Sequence, residues 1–215
     1  MVLGITFLIL SYLIGSIPFG LLIGKIAGKD LRKHGSGNIG STNAVRTLGF
    51  KLGSVSAIFD ILKGALIIFI VYILEANTSW KNPFIINGES VYALYGLTAV
   101  VGHCYSIFLK FKGGKAVATS FGVLIAVVPY SALCAVFAFI ICLKLSGYVS
   151  LSSTAATITA VFINFILYTN VFGLLCNSLV ITIFAIIIII KHIPNYKRLL
   201  NHTENSFKKK NKLPE

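Results

Sequence analysis

Acidic side chains are scarce in this sequence: six of its 215 residues are Asp or Glu, against 19 Lys and Arg. With Asp30 and Asp60 as the only aspartates, a carboxylate cluster holding two metal ions for phosphotransfer is out of reach, and no metal or other cofactor is expected. The cysteines Cys104, Cys134, Cys142 and Cys176 form no CxxC and lie in or beside apolar runs. That excludes a zinc knuckle and a disulfide frame, and leaves them as small buried hydrophobes. Charged residues of either sign make up 12% of the chain, and no charged linker interrupts it, so no second domain is expected.

What the chain has in abundance is apolar surface, with 56% hydrophobic residues and a mean hydropathy of +0.88. These values describe a polytopic membrane protein of the all-α class, with one integral domain over 1–207 and a basic tail over 208–215. The stretch from Val2 to Ile23 is long enough for a bilayer crossing, follows no Lys or Arg and carries no usual cleavage site, so it reads as an uncleaved first span. Further spans are expected at Leu52 to Leu74, Ser90 to Phe111, Val149 to Tyr168 and Leu174 to Ile190. Between Ala116 and Leu145, Pro129 divides the apolar run into pieces of roughly 20 and 24 Å at 1.5 Å per residue, which is either one kinked helix or two short ones.

Charge placement favours two. Seven helices or half-helices, with the N-terminus outside, put Lys25, Lys29, Arg32, Lys33, Arg46, Lys51, Lys110, Lys112, Lys115, Lys144 and the tail from Lys191 on the inner side. A single kinked helix would send the basic tail outside, against the positive-inside tendency. The net charge of +13 thus has a plain origin in orienting the chain and touching anionic lipid headgroups. Nucleic-acid binding is not expected, because no basic platform with interleaved aromatics exists outside the membrane.

Polar chemistry is confined to three short blocks, all on that inner side. The first, GSGNIGSTNAVRTLG from Gly35, opens with a GxGxxG match but follows a membrane helix rather than a strand, so it is no dinucleotide fingerprint. Its glycines would still let backbone N–H groups approach a phosphate, with Ser36, Asn38, Thr42 and Asn43 as uncharged donors and Arg46 as a bidentate one. The plainer alternative is a Gly-rich turn into the next helix. The second block places Lys112, Gly113, Gly114 and Lys115 just before a helix beginning near Ala116. That is an anion cradle by its free N–H groups and two ammonium groups, although it lacks the spacing of a Walker A loop.

The third block, KHIPNYKRLLNHTE from Lys191, contains Pro194, which suits the first turn of a new interfacial helix. On a continuing helical path, His192 and Asn195 (i, i+3) would share a face beside one ligand; a structural histidine at the membrane boundary is the plainer alternative. Inside a span, Asp60 and Lys63 are again i, i+3. The pair must face protein, water or each other, since an isolated charge at mid-membrane costs roughly 2.5–3.5 kcal/mol. A structural brace beneath the site and a direct substrate contact both remain open. The HxxxxD pattern of one acyl-transfer chemistry is excluded, because the residues five beyond each histidine are Ile39, Phe108, Lys197 and Phe207.

Taken in order, GSGNIGSTNAVR, GHxxSxFLKFKGGKAVAT and KHxxNxxRLLxxTE, with DILKG at Asp60 to Gly64, resemble the acyl-phosphate-dependent glycerol-3-phosphate acyltransferase family, the PlsY type. The resemblance covers nearly the whole chain. It implies acyl transfer from acyl phosphate to the 1-hydroxyl of glycerol 3-phosphate, giving lysophosphatidate and phosphate, the first step of phospholipid synthesis. It also implies a bacterial cytoplasmic membrane with the site on the cytoplasmic side, and a separate enzyme supplying acyl phosphate. Matched residue by residue, Ser36 and Arg46 fall on essential polar positions of the first motif. Gly113, Gly114 and Lys115 fall on the loop that holds a substrate phosphate, and His192, Asn195 and Glu204 on the third motif.

The chain departs from the family pattern at Ser41 (usually Ala), Ala116 (usually Gly), Lys191 (usually Arg) and His202 (usually Gly). Ala116 would restrict the loop if that position needs a positive φ. The expected mechanism is direct attack by the glycerol hydroxyl, with Arg46 and the basic loops on phosphates and Ser36 and Asn195 orienting. His192, or a substrate phosphate, accepts the proton. Two rivals remain: a transporter or channel for an anionic solute, and an enzyme using acyl-CoA as donor.

Overall fold

The computed structural model describes residues 1–169 and 175–207. The basic tail 208–215 and the connection at 170–174, where one expected span begins, lie outside the described residues. Among the described residues the regular structure is helical apart from one hairpin of two-residue strands. The helices are α1 (Val2–Ser16), α2 (Phe19–Ile26), α3 (Ser41–Leu48), α4 (Phe50–Asn77), α5 (Ala93–Cys104), α6 (Val117–Val127), α7 (Pro129–Ser146), α8 (Val149–Asn164) and α9 (Leu175–Leu200). The hairpin pairs β1 (Ile85–Ile86) with β2 (Glu89–Ser90) in antiparallel register, Ile85 opposite Ser90. Its turn is Asn87-Gly88, both at positive φ, the dipeptide such two-residue turns favour.

Among the described residues, five stretches are long and apolar enough to cross a membrane: Val2–Ile26, Phe50–Asn77, Pro129–Ser146, Val149–Tyr168 and Leu175–Leu200. Helices α5 and α6 are apolar but shorter. Runs such as Ile186 to Ile190 are β-branched and would suit strands in water. In a bilayer a helix satisfies every backbone group within its own segment, and that requirement prevails. Large apolar side chains accordingly point outward along the bundle, among them Leu62, Phe69, Phe137, Ile158, Phe162, Ile183 and Ile190.

Lipid supplies little hydrophobic drive between helices, so small residues and close contact hold them together. Helices α4 and α6 meet through a reciprocal pair. A Cβ on Gly64 would lie 2.9 Å from the Thr119 carbonyl carbon, and one on Gly122 would lie 2.9 Å from that of Ile61. Helices α1 and α5 use Gly15 and Gly102 in the same way, with a Cβ at Gly15 reaching 2.6 Å from the Ala99 Cα. Around these seams lies the core of Tyr95, Ile68, Val71, Val100, Val123, Ile181 and Phe184. At the hairpin end, the Glu89 carboxylate accepts from the N–H groups of Cys176 and Asn177, both at 2.8 Å, and so complements the positive start of α9.

Two sequence expectations change, at Pro18 and Pro194, and the favoured reading at Pro129 holds. The first span is broken at Ile17-Pro18, because proline pushes the residue before it out of the helical region and Ile17 takes φ −63°, ψ 119°. The run across Pro129 forms two helices, α6 and α7, with Pro129 in the first turn of α7. Pro194 does not begin a new helix: α9 runs through it to Leu200.

Candidate active site

The three polar blocks, separated by most of the chain, meet at one end of the bundle. Helix α6 leaves that end at Ala116, and α7 returns to it at Gly147, whose carbonyl accepts the Phe207 N–H at 2.8 Å. The α6–α7 pair therefore goes out and comes back.

The first block is shaped from within. Asn43 is buried, and its side chain organises the loop. Its Oδ1 accepts the Ser36 N–H at 2.9 Å, and its Nδ2 donates to the carbonyls of Leu31, His34 and Asn38 at 3.1, 3.0 and 2.8 Å. Gly35 and Gly37 take φ +60° and +70°, and a Cβ on Gly35 would collide with Asn43 Oδ1. The Asn43 amide is thus committed to the backbone rather than free for a ligand. Arg46, on α3, is half-buried, with its guanidinium 5.2 Å from the Phe207 ring centroid.

In the second block the glycines serve a different purpose from the one the sequence suggests. Gly113 N–H donates to the Cys104 carbonyl at 3.1 Å and Gly114 N–H to that of His103 at 3.0 Å, so neither is free for an anion. Their missing side chains let the loop lie against the end of α5, where a Cβ on Gly113 would be 2.8 Å from the Cys104 carbonyl carbon. What the loop offers an anion is Lys115 and the unpaired N–H groups at the start of α6. Ala116 sits at φ +59°, so the position does take the left-handed conformation that favours glycine. His202, the other position usually held by glycine, sits at φ +55°.

The third block hangs from α9. His192 Nδ1 lies 2.9 Å from the Ile188 carbonyl. A carbonyl only accepts, so Nδ1 carries the proton and Nε2 is left as the acceptor. Asn195 Oδ1 accepts from the Lys115 ammonium, and its Nδ2 donates to Glu204 Oε1 at 2.7 Å. Arg198 Nε donates to Glu204 Oε2, also at 2.7 Å. Burial works to raise the Glu204 carboxyl, but these two hydrogen bonds and the Arg198 charge outweigh it and hold the group below its ordinary value. Burial pushes the Lys115 ammonium down to about 8, with Glu204 opposing the fall and Arg198 and Arg46 adding to it.

Two cavities open among these groups. The larger, about 410 Å³, is lined at its polar end by Ser36, Asn38, Thr42, Asn43, Arg46, Asp60, Lys115, His192, Asn195 and Glu204. It continues into an apolar slot walled by Ile61, Phe121, Leu124, Phe139, Ala160, Ile181 and Phe184. The smaller, about 240 Å³, is walled by Ser36, Asn38, Gly113, Gly114, Lys115, Lys191, Asn195 and Arg198. Ser36, Asn38, Lys115 and Asn195 border both.

A sequence model of the glycerol-3-phosphate acyltransferase family matches residues 5–202. The chain belongs to that family. It is 45% identical over 202 residues to the glycerol-3-phosphate acyltransferase of Bacillus subtilis, covering 94% of this chain and 96% of that one. It is 42% identical over 205 residues to the Geotalea daltonii acyltransferase, covering 95% and 98%. Crystal structures of PlsY (YgiH), an integral membrane glycerol 3-phosphate acyltransferase, superpose with TM-scores of 0.82 for a glycerol 3-phosphate form and 0.80 for a lysophosphatidic acid form. These two are 37% and 36% identical to the chain, each over 95% of its length and 96% and 95% of theirs.

Two of the residues singled out from sequence border neither cavity. Lys112 is exposed beside the loop. Lys63 is buried behind the site, 2.8 Å from both Asp60 Oδ1 and the Ile17 carbonyl. Asp60 reaches the wall of the larger cavity while Lys63 braces it from behind, so the cavity receives only one member of the pair. Three basic residues that the sequence reading quoted within the motifs without assigning them to the site, His103, Lys191 and Arg198, border these cavities. Their place in the motifs was the available signal.

Proposed function

We propose that this chain transfers an acyl group from acyl phosphate to the 1-hydroxyl of sn-glycerol 3-phosphate, giving lysophosphatidate and phosphate. One observation carries the reading: two basic compartments share Ser36, Asn38, Lys115 and Asn195, and one of them runs on into an apolar slot. The reaction needs two phosphate-bearing substrates side by side and an acyl chain leading away. Along α9 the larger cavity's lining runs from Ile181 to Asn195, about 21 Å of helix at 1.5 Å per residue, enough to bury a long chain.

The glycerol hydroxyl oxygen attacks the acyl carbonyl carbon, the bond from that carbon to the phosphate oxygen breaks, and phosphate leaves. A mixed anhydride is already activated, so positioning and charge stabilisation are the main demands on the protein. Arg46, Lys115 and Arg198 meet phosphate charge, while Ser36 and Asn195 orient the reactants. His192 Nε2 is placed to accept the hydroxyl proton, a role that a substrate phosphate could fill instead. No covalent enzyme intermediate is needed.

The site lies at the cytoplasmic face of a bacterial inner membrane, with seven membrane segments and the N-terminus outside. Support comes from charge: Lys25, Lys29, Arg32, Lys33, Lys51, Lys110, Lys144 and Lys197 lie in segments that flank the site end, whereas Lys81 lies in the connection that leads to the hairpin at the far end. Acyl phosphate is supplied by a separate enzyme, and anionic lipid headgroups meet the basic rim. The test is to supply protein in lipid vesicles with glycerol 3-phosphate and either acyl phosphate or acyl-CoA. Lysophosphatidate from acyl phosphate alone is the expected result. Product from acyl-CoA alone would overturn the donor, and solute flux without product would bring back the transporter.

A further inference from the structure

His103 is a charged-capable side chain that the mechanism above does not use, yet it is 6% exposed and borders the larger cavity. It sits where three elements converge. Its backbone carbonyl holds the Gly114 N–H at 3.0 Å, fixing the loop that carries Lys115. Its ring lies directly beneath Gly114: a Cβ there would meet Nε2 in collision and lie 3.1 Å from Cδ2. On the ring's other edge, Nδ1 is 3.1 Å from Thr119 Oγ1 on α6 and 3.6 Å from Asp60 Oδ1 on α4. Asp60 is in turn held by Lys63, and the Gly64–Gly122 seam presses α4 and α6 together at this level.

We propose that His103 is a positioning residue for phosphate binding: its imidazole, braced by Asp60 and Thr119, sets the seat of Gly114 and so the placement of the Lys115 ammonium. The absence of a side chain at position 114 and the bulk at position 103 are two halves of one contact. With the loop seated on that ring, Lys115 reaches Asn195 across the site. Helix α4 has no residue in the smaller cavity, but through His103 its Asp60 influences the wall that cavity shares with the larger one. The proposal rests on the acyl-transfer reading, because it predicts a change in a phosphate substrate's KM.

The test is a double-mutant cycle on Gly114→Ala and His103→Ala, measured in lipid vesicles with KM and kcat for acyl phosphate and for glycerol 3-phosphate, and with thermal unfolding as a separate readout. Each single change is expected to raise the KM of the phosphate substrate that Lys115 holds by about tenfold, the size of one lost hydrogen-bonded contact, with a smaller effect on the other substrate. The double variant is expected to recover most of that loss, since the new methyl occupies the space the ring vacated. Asp60→Asn, which keeps the shape but removes the charge behind the ring, should raise the same KM. Additive losses in the double variant, or equal effects on both substrates with only kcat or melting temperature changed, would overturn the positioning role. Failure of the unsubstituted protein to make lysophosphatidate would instead overturn the acyl-transfer reading, so the two failures are separable.

Discussion

Gly113→Ala is the substitution whose consequence can be followed furthest. The Gly113 and Gly114 N–H groups anchor the loop to the carbonyls of Cys104 and His103 at 3.1 and 3.0 Å. A methyl at position 113 would lie 2.8 and 2.9 Å from the Cys104 carbonyl carbon and oxygen, with the His103 carbonyl oxygen nearer still. These are backbone atoms at the end of a helix and cannot swing aside as a side-chain tip can, so the loop must lift. Lifting it breaks two hydrogen bonds, about 0.5–1.5 kcal/mol each, or about 1–3 kcal/mol together. If that energy now opposes seating the Lys115 ammonium, phosphate affinity falls about 5- to 150-fold. The assay is KM for both phosphate substrates in lipid vesicles, with helix content checked by circular dichroism. Gly88→Ala is the control: Gly88 has a positive φ (+81°), a Cβ there would meet nothing within 4 Å, and it lies in the hairpin far from the site. It should lower stability without touching KM. A Gly113→Ala protein whose KM values stay within about twofold of the parent would refute the reasoning.

Other outcomes follow from the same geometry. Lys63→Met should destabilise the protein by about 3–5 kcal/mol, because Asp60 would be left buried without its cation, whereas Asp60→Leu with Lys63→Met should recover most of the loss; melting in detergent distinguishes them. Phosphate affinity should be full at neutral pH and weaken as pH rises through about 8. Only the protonated Lys115 pairs with the anion, so deprotonation removes the attraction, and a Lys115→Arg variant should extend the plateau upward in a KM–pH profile. His202→Gly should stabilise by about 0.5 kcal/mol by relieving a left-handed residue. Ala116→Gly should give no net gain, since the same relief is offset by loss of a buried methyl worth about 0.8 kcal/mol; the two melting temperatures should rank in that order. His192→Gln retaining full turnover would leave a substrate phosphate as the base.

Much of this protein is legible in one dimension because a bilayer simplifies the problem. Apolar length announces the crossings. Polar residues are so few that Ser36, Arg46, Lys115, His192 and Asn195 stand out without any structure. Pairwise placement was also partly legible: the i, i+3 spacing of His192 and Asn195 held because α9 continues through Pro194.

The sequence by itself determined the class, the approximate spans, the three polar blocks and the family they resemble. Tertiary structure alone decided which donors face a ligand and which are spent inside the fold. Asn43 reads as a phosphate donor and instead holds four backbone groups. Gly113 and Gly114 read as an N–H cradle and instead provide clearance against α5. His103 has no assigned role in the sequence, and in the fold its ring lies beneath the loop at Gly114. The physical reason is that a hydrogen-bonding group can be used once. A one-dimensional pattern counts donors and acceptors, but only the folded chain shows which have already found partners among residues distant in sequence.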